Sequence, residues 1–221
     1  MRLAAPIVLA AALGGAPLSA GPVSALTGDT SVSVELRPSH DGYILQGARR
    51  DQSRAQHLKV GFNGDRVARS FLTWETGALA GKRILSATLK LWSQHSWSCT
   101  PRAWEVWSAE PMTATPAIVT AAARWPGPAP LKQAAVSTET RGWSDRCADG
   151  WVSVDLRDLV QSWADQRKTK GAVVLKATDE TDRLAWKRFA SAEATTNRPI
   201  LTVIFTESPG RPAVPIGTAR K

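Results

Sequence analysis

Ten tryptophans stand against one tyrosine in this 221-residue chain, and several of them alternate with long cationic side chains in strand-like runs. Indole faces beside lysine or arginine suit ring stacking combined with charge-assisted contact to a carboxylate. In Ser86-Ala87-Thr88-Leu89-Lys90-Leu91-Trp92 the polar phase places Trp92 with Lys90 and Thr88. Trp107 shares its phase with Glu105, and Trp186 shares one with Arg188, opposite Lys187 and Phe189. Lys90, Trp92, Trp107, Trp186 and Arg188 are therefore the candidate ligand-binding residues. Packing is the simpler role for Trp92 and Trp107, because an indole buries a large area. A cation–π pair on a solvated strand accounts equally well for Trp186 with Arg188. Trp74, Trp104, Trp151 and Trp163 fall on apolar phases or on a helical stripe and are assigned to the core.

Catalytic chemistry finds no nominee. His40, His57 and His95 are scattered, and none lies in a zinc-binding or nucleophile-elbow context. Spacing picks out no pair of carboxylates for glycoside hydrolysis, and a lyase acting on an acidic sugar would have only Tyr43 as its tyrosine base. Asp179, Glu180 and Asp182 crowd three carboxylates into four residues, a candidate structural calcium site or a solvated acidic turn. No other cofactor is expected. Cys99 and Cys147, the only two cysteines, lie in separate loops and read as one disulfide, since no second cysteine or histidine stands at metal-ligand spacing from either.

The elements that must position these residues are strands. Val32, Val34 and Leu36 alternate with polar neighbours, and Tyr43 to Leu45 and Leu58 to Phe62 follow. Asn63-Gly64 then turns the chain back into Val67 to Trp74. Leu85, Ala87, Leu89 and Leu91 form one apolar face. Trp104 to Trp107 and Trp151 to Leu156 supply two more strands. Asp155 is placed to cap a helix whose Leu156, Leu159, Val160 and Trp163 recur at helical spacing. Residues 172–177, 184–190 and 200–206 are read as the closing strands. Thr115-Pro116 starts a second, short helix in an Ala- and Pro-rich stretch. Nine or ten strands with one or two short helices predict an all-β, two-sheet sandwich.

Met1-Arg2, an uncharged apolar run and the small residues Val23-Ser24-Ala25 have the three parts of a secretory signal peptide. Residues 1–25 are thus read as an export signal, 26–206 as a single domain, and 207–221 as a flexible Pro- and Gly-containing tail. Prolines and glycines interrupt the apolar run, so a membrane-spanning anchor is not expected. The charge of +9 favours anionic partners or serves solubility, and its lack of clustering argues against a nucleic-acid tract.

Several segments together resemble the DNRLRE domain, grouped with carbohydrate-binding module family 96. In the first half these are Leu58 to Gly61 (LKVG), Arg69 to Trp74 (RSFLTW) and Ser86 to Trp92 (SATLKLW). In the second half they are Val154-Asp155-Leu156 with Leu159 to Trp163, Val174 to Ala177, Trp186 to Ser191 (WKRFAS) and Arg198 to Val203 (RPILTV). The resemblance implies a jelly roll, a secreted bacterial or wall-associated setting, and sugar binding without catalysis. Residues 113–143 lack the tryptophan-threonine-tryptophan-asparagine segment usual there, and the two cysteines are not a general feature of the family. The combined expectation is a secreted, monomeric, non-catalytic module for an anionic or cell-wall polysaccharide. The competing readings are a structural spacer without a sugar site and a small secreted polysaccharide lyase.

Overall fold

A computed structural model describes residues 30–48, 52–112 and 125–206. The export signal, the C-terminal tail and the helix expected at Thr115-Pro116 lie outside the described residues. Strands β1 to β7 span Ser31–Leu36, His40–Leu45, His57–Phe62, Val67–Glu75, Arg83–Ser96, Trp104–Ser108 and Gln133–Ser137. After β8 (Gly150–Asp155) and helix α1 (Arg157–Asp165) come β9 (Lys170–Ala177), β10 (Lys187–Ala190) and β11 (Ile200–Thr206). The chain is thus all-β with one α-helix among the described residues, and every strand pair is antiparallel.

The strands form two ladders joined through β3. In the first, β11 lies between β1 and β5, β8 takes the other edge of β5, and β10 continues along the β11 edge at Ser93–Ser96. The second runs β2, β4, β9, β6, β7. Residues 57–60 of β3 pair with β10, whereas Gly61 and Phe62 pair with β4. The switch falls at Gly61, whose φ of 94° is open to glycine and costly for other residues. The result is a strongly curled sheet whose inner face is the core.

Leu58, Val60, Leu72, Trp74, Leu89, Leu91, Trp104, Val106, Val173, Leu175, Phe189, Leu201 and Val203 meet there in one apolar cluster. Helix α1 adds Leu159, Val160 and Trp163 to it, with Trp163 tilted against Trp74 at 6.3 Å between ring centroids. Gly171 on β9 makes room for that indole, because a Cβ there would stand 2.4 Å from the Trp163 ring. Asp155 precedes the helix and its Oδ1 accepts the Arg157 N–H at 2.8 Å.

Four local differences from the sequence reading have physical causes. A bulge in the β5–β11 ladder turns Ile84 inward and leaves Leu85 40% exposed; an inserted residue reverses the alternation on either side of it. Residues 183–185 form a 3-10 turn, so β10 begins only at Lys187. Strand β7, in the Ala-rich middle, was not anticipated: Gln133–Ser137 pairs along β6 with little apolar alternation of its own. Trp151 faces outward with Ser153 and Asp155, as its alternation with the buried Val152 and Val154 requires.

Candidate functional site

The curled sheet has two outer faces, and they differ in cover. On the β4–β9–β6 side, Ile44, Phe71 and Val174 are buried beneath Ala109 and Met112, with Trp107 and Trp125 packed alongside. The chain passes so close at Gly127 that a Cβ there would lie 2.6 Å from the Phe71 ring. The charges on this face are already satisfied. Trp107 Nε1 and Lys176 Nζ both donate to Glu105 Oε2, at 2.7 and 3.0 Å. Burial pulls the Glu105 carboxyl upward, but hydrogen bonds from Trp107, Lys176 and Thr178, with the Lys176 charge, carry it below the usual carboxylate range. Arg69 grips Glu180 with two bonds of 2.8 and 2.7 Å and lies 4.7 Å from the centre of the Trp125 ring.

The outer face of β5, β8 and β10 carries half-buried and exposed side chains. Trp92 and Trp151 stand directly opposite each other across β5 and β8, edge to face at 5.5 Å. Both are half-buried, and Lys90, Ser153 and Asp155 around them are exposed. Further along the same face the register lines up His95, Arg188 and Lys59 across β5, β10 and β3. Gln94 Oε1 meets His57 Nδ1 at 2.7 Å, and Lys59 Nζ donates to the buried Tyr43 hydroxyl at 2.8 Å. Desolvation first, and then the Arg188 charge, hold both His57 and His95 below the ordinary imidazole value. Among the described residues Lys59, Lys90 and Arg188 form no ion pair with a carboxylate, and Arg188 Nε is buried without a hydrogen-bond partner.

A wall of aromatic rings borders this cationic file. His95 stands edge-on to Trp97 at 4.8 Å, and Trp97 lies 6.2 Å from Trp143. The disulfide between Cys99 and Cys147 ties the Trp143 loop to the end of β5. Gly142 O accepts the Ser96 N–H in the same region.

A family model described as Carbohydrate-binding module family 96 matches residues 32–205, from β1 to β11. The chain belongs to that family. No curated protein matches it. Within this family 96 module the structure gathers Lys90, Trp92 and Arg188 on the open face. Trp107 lies on the opposite, covered face. Trp186 precedes β10 and is buried with Tyr43 and Ala68, with Trp97 packed against them. Lys187 points inward, fully buried; burial brings its pKa down to about 8, and its Nζ donates to Thr140 at 3.0 Å.

The acidic trio does not converge. Asp179 accepts from the Thr181 hydroxyl and N–H, Glu180 holds Arg69, and Asp182 takes Arg102 and the Leu184 N–H. Among the described residues no group of three or more His, Cys, Asp or Glu side chains is arranged to hold a metal, so of the two readings of this turn the candidate calcium site has no ligand set there. The sequence reading missed Trp151, Lys59, Gln94, His57 and His95 as members of the open face. The period of β8 could have found Trp151. The others depend on the pairing of β3, β10 and β5, which joins residues more than 30 positions apart.

Proposed function

We propose that the module binds an anionic or cell-wall polysaccharide, without catalysis, on the open face of β5, β8 and β10. The two ladders are then the sheets of a jelly-roll sandwich, and the protein works as an exported, monomeric binding module. One observation carries the reading: a half-buried indole pair, Trp92 with Trp151, lies on the same outer face as three cations that lack carboxylate partners among the described residues. Indoles stack on the apolar faces of pyranose rings, and a lone guanidinium takes a carboxylate in two parallel bonds. The file of Lys59, Arg188 and Lys90 suits a polymer with repeated carboxylates better than a neutral one. Tyr43 is buried with its hydroxyl bonded to Lys59, which favours binding over a lyase mechanism using that phenol.

Affinity electrophoresis of the full chain in gels containing alginate, polygalacturonate or a neutral glucan tests this. The acidic gels should retard the wild type, and Trp92→Ala and Arg188→Ala should each weaken retention by about tenfold, the equivalent of 1.4 kcal/mol. Equal mobility of all three proteins in every gel would leave the face without a sugar site and favour a spacer.

A further inference from the structure

The open face continues past Lys90 onto the neighbouring strands. Lys90 stands opposite Ile200 on β11, and Leu36, the last residue of β1, stands opposite Leu201. Leu36 and Leu201 belong to the core, so by alternation Ile200 and Arg37 lie on the outer side with Lys90. Arg198, two residues before Ile200, is exposed and the intervening Pro199 is buried, which carries the same alternation beyond the strand. Between these two arginines and the β10–β11 loop lies a crevice of about 440 Å³ whose lining includes Thr195, Thr196 and Asn197. Both guanidiniums are anchored by backbone oxygen: Arg37 Nη1 donates to Arg198 O at 3.2 Å, and Arg198 Nε donates to Ala194 O at 2.6 Å. Among the described residues neither forms an ion pair with a carboxylate, Glu35 on the same phase of β1 included.

We propose that this crevice is a second anion subsite of the polysaccharide site, in which Arg37 and Arg198 hold a carboxylate of a sugar unit beyond those stacked at Trp92 and Trp151. The proposal rests on the sugar-binding reading of the open face. A guanidinium fixed at one nitrogen keeps its other N–H groups for an incoming oxyanion, and its prior anchoring lowers the entropy lost on binding. The Thr195 and Thr196 hydroxyls and the Asn197 amide can bond the ring hydroxyls beside that carboxylate. Among the described residues the lining holds no aromatic ring, so this subsite recognises charge and not the face of a sugar. From Trp151 on β8 to Arg37 after β1 the face crosses β5 and β11, three strand spacings or about 14 Å. One sugar ring cannot bridge that span and a short oligosaccharide can, so the module selects acidic chains by length.

Calorimetry on the full chain with oligogalacturonates of two and of six units tests this. The wild type should bind the six-unit chain about tenfold or more tightly than the two-unit one, because a tethered second contact raises the effective concentration of the ligand. Arg37→Gln with Arg198→Gln should keep the two-unit affinity and lose most of that gain. Arg198→Lys retains the charge without the planar fork and should lose part of it. Trp92→Ala should instead weaken both ligands. An undiminished gain in the double variant would overturn the subsite and leave the open face standing. Loss of the two-unit affinity in that variant would also overturn it, since the two arginines would then support the loop and not a separate contact. A wild type that binds neither acidic chain would remove the sugar-binding reading itself, and the subsite with it.

Discussion

Arg188 shows how much one side chain can set. It sits between His95 on β5 and the β3 residues His57 and Lys59, with an Nε that nothing in the fold accepts. Burial and its charge hold both imidazoles below their ordinary pKa. Removing the charge in Arg188→Gln should raise both pKa values, and so should saturating the protein with an oligouronate whose carboxylate neutralises the guanidinium. Both changes are read from the pH dependence of the imidazole proton resonances. By linkage, affinity for an acidic sugar should then increase from pH 7 to pH 5, because binding favours the protonated rings. The sign for stability is opposite. The unfolded chain takes up protons at about 6.5 and the folded chain only lower, so the stability present above that value falls as pH drops through it. Affinity that is flat across this range, with both resonances unmoved by ligand, would separate Arg188 from the sugar. Of this constellation, alternation made Lys90, Trp92 and the outward phase of Arg188 legible. Lys59 and the two histidines were not, because only long-range strand pairing puts them beside the guanidinium.

At the scale of elements, β3 decides how the sheet curls. Its first four residues serve one ladder and its last two the other, so Gly61 at the switch has both a conformational and a packing role. A Cβ at Gly61 would meet Ala185 O at 3.1 Å and Ala177 Cβ at 3.2 Å, whereas one at Gly64, with φ of 98°, would meet nothing within 4 Å. Gly64→Ala should therefore cost about 1 kcal/mol from backbone conformation alone. Gly61→Ala adds the collisions and should cost about 2–3 kcal/mol, measured by urea unfolding of both variants. Equal losses would show that the switch tolerates a side chain. The strands themselves were largely readable, since β1, β5, β6, β8 and β11 alternate and the Asn63-Gly64 turn announces β4. The short β7 was not, because Gln133–Ser137 owes its pairing to β6 rather than to its own pattern. The bulge at Leu85 escaped because it rests on the β11 register and has no local mark.

Across the whole molecule, the aromatic wall beside the open face depends on a loop tied down at several points. The Cys99–Cys147 bridge spans 48 positions, the Ser96 N–H holds Gly142 O, and Lys187 reaches Thr140 from inside the sheet. Closing a loop of that length restricts the unfolded chain by about 4 kcal/mol in the chain-entropy treatment. Cys99→Ser with Cys147→Ser should thus lower unfolding free energy by up to about that amount, while the other two ties keep the loop near its place. Two binding outcomes are then distinguishable in the folded double variant. If polysaccharide contact centres on Trp92, Trp151 and Arg188, retention in acidic gels persists, because those residues belong to strands that the disulfide does not join. If the Trp97–Trp143 wall contributes, retention weakens although the strand residues are intact, and Trp143→Ala reproduces the loss with the bridge still present. The geometry favours the first outcome: Trp143 is 49% exposed on a tethered loop, whereas the indole pair and Arg188 are fixed by strand pairing on both sides of β5.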